Sequence, residues 1–200
     1  GTIETNPFFN FDLFFIIKSI NFTDLLNSDN IKNLLNVSDK AKKLNGKIKI
    51  LYKKKNLERS YVKNLSASIS SVNGLIKLNE ITIHFPEAVI NLEGDISEYE
   101  GYKKFNFKII ADITNKKKFF KNFKIKDIEN QEAVGLSING YLNISSNKIY
   151  FELIKIDNKK IISVEDINFY KKSFEQILIK DNLKNIFIID NIKNFFEEIL

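Results

Sequence analysis

The sequence predicts a mainly β protein, a curved antiparallel sheet that runs as a meander and carries helices at its periphery. Apolar residues fall on every second position in short segments, and this period places them on one face of a sheet. The clearest segment contains Phe105, Phe107, Ile109, Ala111 and Ile113. Turn-forming pairs such as Asn73-Gly74 separate the segments. Because strands joined by tight turns run in opposite directions, the segments are expected to form a meander.

The first 44 residues are predicted to form a strand followed by a helical cover. Residues 8–22 have strand character, but their apolar positions change parity near Lys18, which predicts a bulge or break there. Residues 24–44 repeat apolar side chains at steps of three and four, as a helix does. Asn45-Gly46 is expected to end that helix.

Residues 45–169 are predicted to form the antiparallel sheet, and residues 170–200 a C-terminal helical segment. The turns after 73–74 are Pro86-Glu87, Ser146-Asn147 and Asp157-Asn158. A short helix is expected at 115–123, where three phenylalanines recur at helical spacing. The predicted strands are 47–52, 61–72, 75–85, 88–97, 104–113, 133–145, 148–156 and 161–169.

Composition limits the function classes. The chain has 200 residues, 44% of them hydrophobic, which is enough for one domain with a core. The absence of cysteine excludes disulfides and thiol nucleophiles. The net charge of +6 comes with one arginine, Arg59, so a nucleic-acid partner is not expected. The sequence opens with Gly1 and has no methionine, so we expect it to be part of a longer protein whose membrane anchor lies outside it.

No catalytic or metal site is predicted, and no cofactor. His84 is the only histidine and falls on the polar parity of its strand. The carboxylates around Gly94 and Gly101 lack the ordered spacing of a calcium loop and are expected to form a solvated turn. Ser66, Ser68 and Ser70 alternate along a strand without a base to activate them. We therefore expect a protein that is not an enzyme.

Glycines at alternating positions suggest how the sheet curves. Gly94 and Gly140 stand within strand patterns, and Gly46 in a shorter, similar one. Glycine inside a strand marks a bend, a bulge or a close backbone approach, and bends at one height would curl a sheet into a groove. The alternative is that the apolar face is the core of a closed sandwich or is covered by the helices. The predicted groove lining is Ile90, Leu92, Ile96, Phe105, Phe107, Ile109, Leu136, Ile138, Leu142 and Ile144.

The chain resembles the C-terminal region of AsmA-like proteins over most of its length. The residues that carry the resemblance are 1–9, Ile20-Asn-Phe-Thr-Asp-Leu-Leu26, Leu44-Asn-Gly-Lys-Ile48, Phe119-Phe-Lys-Asn-Phe123 and Leu136-Ser-Ile-Asn-Gly-Tyr-Leu-Asn143. The resemblance implies a periplasmic protein of a Gram-negative envelope, tethered to the inner membrane and similar to TamB and to bridge-like lipid transfer proteins. It implies a U-shaped β-sheet with an apolar trough, and no catalytic motif.

The expected function is non-enzymatic handling or guidance of phospholipid between the inner and outer membranes, in support of outer-membrane biogenesis. Acyl chains are the expected ligand, because each buried methylene contributes roughly 0.8 kcal/mol without any specific polar contact. The alternative is a membrane-tethered β-scaffold whose open edge strand pairs with a protein partner in outer-membrane assembly.

Overall fold

The structure is a computed structural model that describes residues 1–5, 9–19, 44–55, 61–73, 75–121, 132–144, 146, 148–157, 159–160, 165, 168 and 172. Within these residues the chain is mostly β and forms one curved, mixed, open sheet. The predicted fold class is therefore confirmed. Of the helical segments predicted at 24–44 and 170–200, only Leu44 and Lys172 are among the described residues: Leu44 begins a strand, and Lys172 has helical backbone.

Ten strands make up the sheet. They are β1 (Thr2–Glu4), β2 (Phe9–Ile17), β3 (Leu44–Lys53), β4 (Asn64–Val72), β5 (Leu75–His84), β6 (Ala88–Tyr99), β7 (Tyr102–Ile113), β8 (Val134–Asn143), β9 (Lys148–Ile156) and β10 (Lys159–Lys160). Among the described residues a short helix, α1 (Lys116–Lys121), lies between β7 and β8.

The strands follow one another in the sheet in the order of the chain, β1 to β10. Every neighbouring pair is antiparallel except β2 and β3, which are parallel from Phe9 beside Leu44 to Ile17 beside Tyr52. Parallel neighbours need a crossover connection, and residues 18–43 supply it. The sheet is thus a meander of hairpins preceded by one parallel crossover.

The two faces of the sheet differ sharply in polarity. Residues directly opposite each other on paired strands share a face, so the register assigns every strand residue to one side. One side, which we call the apolar face, contains for example Ile90 of β6, Ala111 of β7 and Leu136 of β8. The other side, the polar face, contains lysine, serine and asparagine residues such as Lys49, Ser68 and Asn106. The alternation read from the sequence therefore corresponds to a two-sided sheet.

Two glycines allow phenylalanine rings to lie flat on the apolar face. Gly94 of β6 stands opposite Phe107 of β7, which stands opposite Gly140 of β8, and Gly140 stands opposite Phe151 of β9. A Cβ atom on Gly94 would come within 2.6 Å of the Phe105 ring. Register shifts occur beside both glycines, between Leu78 and Ile81 and between Asn139 and Gly140. These are the bulges and close approaches that interior glycines predict, and bulges bend the strand that carries them.

The helix α1 covers one end of the apolar face. Phe119 is 2% exposed and packs against Ala88, Ile113 and Val134. Its ring meets that of Phe85 edge to face, with the centroids 5.4 Å apart. The Asn115 side chain accepts a hydrogen bond of 2.9 Å from the Lys118 N–H and so caps the helix. The short helix predicted at 115–123 is confirmed over 116–121.

One predicted detail is confirmed and two are wrong. The strand β2 ends at Ile17, so the break predicted near Lys18 is confirmed. Asn45 and Gly46 do not end a helix but lie inside β3, because the strand begins at Leu44 to pair with β2. The last predicted strand, 161–169, contains Glu165 and Asn168, and both have helical backbone.

Candidate functional site

The apolar face is the candidate site, and the structure brings the predicted groove residues together on it. Nine of the ten belong to three adjacent strands, β6, β7 and β8, and share this face through their pairing. The tenth, Ile144, follows β8 directly, and its N–H donates a hydrogen bond of 2.9 Å to the Lys103 carbonyl. The predicted residues are thus contiguous across three strands.

Burial of this lining varies along the strands. Phe107, Leu136 and Ile138 are buried in the middle of the face, together with Phe151 and Ile154. Ile96, Phe105, Leu142 and Ile144 are half-buried and lie toward the hairpins that join β6 to β7 and β8 to β9. Ile90, Leu92 and Ile109 are half-buried as well, so partial exposure occurs along the whole lining.

Several residues of the same face were not predicted, and the reason is the bulges. On β9 the register shift makes Phe151 and Ile154 share the face although they are three positions apart. On β5 a similar shift joins Leu78 and Ile81. A bulge adds a residue to one strand, so beyond it the odd and even positions exchange faces. A prediction from simple alternation therefore places the apolar residues beyond the bulge on the polar face. The interruption of the alternation is itself the signal that identifies a bulge.

The apolar face continues across the remaining strands with very few polar groups. It includes Tyr52, Leu65 and Ala67 of a second buried cluster on β3 and β4. From β2 to β9 its polar side chains are Ser71, the hydroxyl of Tyr52 and, at one rim, Glu98 directly opposite Lys103. Away from that rim the described face carries no charge.

The polar face is a hydrogen-bonded surface. Asn106 donates to Asp95 at 2.9 Å and to Ser97 at 3.1 Å, which links β6 to β7. Thr82 donates to Asn91 at 2.9 Å across β5 and β6. His84 is half-buried on this same face, opposite Asn64 and Val89. These contacts join neighbouring strands and need no ligand to explain them.

Four tyrosines cluster on the polar face at the end opposite α1. Tyr99 faces Tyr102 across a hairpin, and Tyr141 stacks on Tyr150 with centroids 4.7 Å apart. The Lys104 ammonium lies 4.9 Å from the Tyr99 ring centroid and 5.2 Å from that of Tyr141. Desolvation, followed by the charge of Glu100, raises the pKa of Tyr102. Desolvation and the neighbouring tyrosine Tyr102 raise the pKa of Tyr141, so both phenols remain protonated at neutral pH.

The described residues contain no group of three histidine, cysteine, aspartate or glutamate side chains able to hold a metal ion. Within the same part of the chain, no helix has both the length and the apolar character to cross a bilayer. A shallow cleft of about 210 Å³ lies where β1, β2 and β3 meet, away from the predicted groove. Glu4, Asp12 and Lys47 are among its lining residues.

The chain was compared with protein-family models, with curated proteins and with solved structures. None of the three comparisons finds a match.

Proposed function

We propose that this protein is a non-enzymatic phospholipid-handling domain of a Gram-negative cell envelope, which receives acyl chains on its apolar face. The observation that carries the proposal is the uncharged apolar surface that continues over β2 to β9. The resemblance to AsmA-like proteins supports a periplasmic location, an inner-membrane anchor outside this sequence and a role in outer-membrane biogenesis.

The dimensions of the face suit a hydrocarbon ligand. Eight strands spaced about 4.8 Å apart give a surface roughly 35 Å across. Each methylene that leaves water contributes roughly 0.8 kcal/mol, so several methylenes are enough for retention. Because the face has almost no hydrogen-bonding side chains, an acyl chain moving along it breaks no polar contact. Such a surface therefore favours both retention and movement.

The half-buried residues Ile96, Phe105 and Leu142 are where we place the first contact with an acyl chain. They belong to the same face as the buried cluster around Ile138 and Ile154, but solvent reaches them. A chain that lies on them covers apolar surface that is otherwise exposed to water, which is the favourable part of binding. The rim pair Glu98 and Lys103 stands next to this region and offers both charges to a zwitterionic headgroup.

Native mass spectrometry of the purified protein tests this proposal. The wild-type protein is expected to carry phospholipid, and Ile138→Asp is expected to lose it because a carboxylate is placed in the middle of the apolar face. Ser137→Asp, the neighbouring position on the polar face, is the matched control and should retain lipid. Because Ile138→Asp also threatens folding, Leu142→Gln at a half-buried position provides a second variant. Lipid-free wild-type protein, or a folded Leu142→Gln variant with unchanged lipid, would contradict the proposal.

A second candidate function, a scaffold that binds a protein partner by strand addition, is favoured by the edge of β2. The strand β1 pairs with residues 10–12 of β2, and on the side away from β3 the described structure places no strand beside Phe14, Phe15 or Ile16. All three side chains are exposed, and Ile16 is 71% exposed. An apolar edge with free backbone donors and acceptors is a site for an added strand.

A photo-cross-linking residue at position 16 separates the two functions. Strand addition predicts one discrete cross-linked protein in envelope fractions, and it predicts that Phe14→Pro, which deletes an edge N–H, removes this product. A cross-linker at Lys49, which lies between β2 and β4 on the polar face, is the control. If position 16 yields no product while the wild-type protein carries lipid, the scaffold candidate is wrong.

A further inference from the structure

Three hairpins end at the same side of the sheet, and two of them carry an apolar or aromatic pair next to the turn on the polar face. In a meander every second turn lies at one end, so the β4–β5, β6–β7 and β8–β9 turns are neighbours there. On the polar face the directly opposed pairs closest to these turns are Val72 with Leu75, Tyr99 with Tyr102 and Asn143 with Lys148, and the next pair at the third hairpin is Tyr141 with Tyr150. Val72 is 58% exposed and Leu75 is 62% exposed. The opposite end carries α1 and its lysines.

The chemistry of this end is that of a membrane interface. Tyrosine combines an apolar ring with a hydroxyl and is enriched at the level of lipid headgroups. Four tyrosines gather here, and the Lys104 ammonium lies over two of their rings. This cation–π arrangement keeps a positive charge among the rings, at the level where anionic headgroups would lie. Val72 and Leu75 supply apolar side chains whose transfer from water into hydrocarbon is favourable.

The backbone of the central strands is paired up to these hairpins. The strands β4 to β8 have a paired neighbour on both sides, and the pairing continues to Val72 beside Leu75 and Tyr99 beside Tyr102. The turn between β6 and β7 is tight, with positive φ at Glu100 and Gly101. A segment that enters a bilayer cannot leave backbone groups without partners. The paired strands at the hairpin end meet this requirement. The exposed edge of β2 does not meet it and is suited to the addition of a strand instead.

We infer that the hairpin end of the polar face, formed by Val72, Leu75, Tyr99, Tyr102 and Lys104, is a bilayer-contact edge that inserts at the boundary between headgroups and acyl chains. The three turns lie side by side along the sheet and so present a line of side chains to a flat surface. The inference concerns the opposite face from the one proposed to hold lipid, and it does not depend on that proposal.

Single tryptophans test this inference directly, because the chain contains none. Leu75→Trp places the reporter at the hairpin end, and Leu51→Trp places a matched reporter at the other end of the polar face, where Leu51 is also exposed. The probes are vesicles of phosphatidylcholine and phosphatidylglycerol in equal parts, with and without brominated acyl chains. We expect the Leu75→Trp emission to shift to shorter wavelength and to be quenched by bromine, and the Leu51→Trp emission to do neither.

A charge substitution gives the complementary test. Replacing Val72 and Leu75 together by glutamate is expected to lower the vesicle-bound fraction roughly tenfold or more, from the burial free energy of these side chains. Leu51→Glu is the control and should bind as the wild type does, with circular dichroism confirming that each variant folds. Quenching of Leu51→Trp instead of Leu75→Trp, or unchanged binding by the double variant, overturns the inference.

The vesicle assay also separates this inference from the proposed function. Protein that carries lipid in native mass spectrometry but fails to bind vesicles contradicts only the bilayer-contact edge. Protein that binds vesicles through Leu75 but carries no lipid contradicts only the lipid-handling face.

Discussion

Gly140 is the position at which the register of the sheet is most sensitive to a single methyl group. It lies in the interior of β8, opposite Phe107 of β7 and Phe151 of β9. A Cβ atom built on it would overlap the Tyr150 carbonyl oxygen, and it would lie 3.0 Å from the Phe107 ring and 3.2 Å from the Phe151 Cα. Two of these three atoms belong to the backbone, so relief requires β9 to move.

The magnitude follows from these contacts. Overpacking of a tight core site costs about 1–3 kcal/mol. Alanine in place of glycine also lowers the entropy of the unfolded chain, which returns about 0.4–1 kcal/mol where the backbone permits alanine. We therefore expect Gly140→Ala to reduce the free energy of unfolding by about 0–2.6 kcal/mol, which is the overpacking cost less the entropy term.

Gly135 provides the matched control on the same strand. A Cβ atom there has one neighbour within 4 Å, the Asp112 carboxylate oxygen at 3.7 Å, which is an ordinary contact. The Gly135 backbone bonds to Asp157, and alanine retains both of these hydrogen bonds. Gly135→Ala is therefore expected to raise the free energy of unfolding by about 0.4–1 kcal/mol.

Urea unfolding followed by far-ultraviolet circular dichroism measures both variants. The entropy term is common to both variants, so the two are expected to differ by the overpacking cost of about 1–3 kcal/mol, which for a chain of this size corresponds to roughly 2–12 °C between their thermal midpoints. Equal midpoints for the two alanine variants would refute the reasoning, since they would show that β8 and β9 accept a side chain at position 140 without strain.

Three further predictions concern other parts of the molecule. Phe119→Ala should lower the free energy of unfolding, measured in urea, by about 3–5 kcal/mol, because it leaves a cavity between α1 and the sheet. Lys117→Ala, on the exposed side of α1, should change this free energy little. Titration of the tyrosines, measured by phenolate absorbance, should include a component above the ordinary tyrosine range, and this component should shrink in Tyr102→Phe. Because folding raises the pKa of Tyr102, its contribution to the free energy of unfolding is complete at neutral pH and is lost as the pH rises through the folded-state pKa. Asn106→Ala should destabilise the protein by about 1–2 kcal/mol through loss of the hydrogen bonds to Asp95 and Ser97, and an unchanged urea midpoint would show that water replaces them.

Alternation and turn chemistry were enough to predict the hairpins. The strands from β4 to β9 begin and end within a few residues of their predicted bounds, because period-two patterning and the turns at 73–74 and 86–87 are local properties. The shared face of Ile90, Ile109 and Ile138 follows from the same alternation. The short helix carrying Phe119 was predictable from its spacing for the same reason.

Pairing between distant segments is what the sequence by itself did not determine. The amino acids of β2 and β3 do not encode that the two strands run parallel, since direction depends on how residues 18–43 cross over. The bulges beside Gly94 and Gly140 arise where two strands accommodate each other's side chains, so the parity of Phe151 and Ile154 was decided only by the assembled sheet. Local patterning thus determined which residues form strands and which face is apolar. The tertiary structure decided the partner of each strand, its register and the depth to which each residue is buried. These three properties are set by backbone hydrogen bonds and packing between residues far apart in the chain.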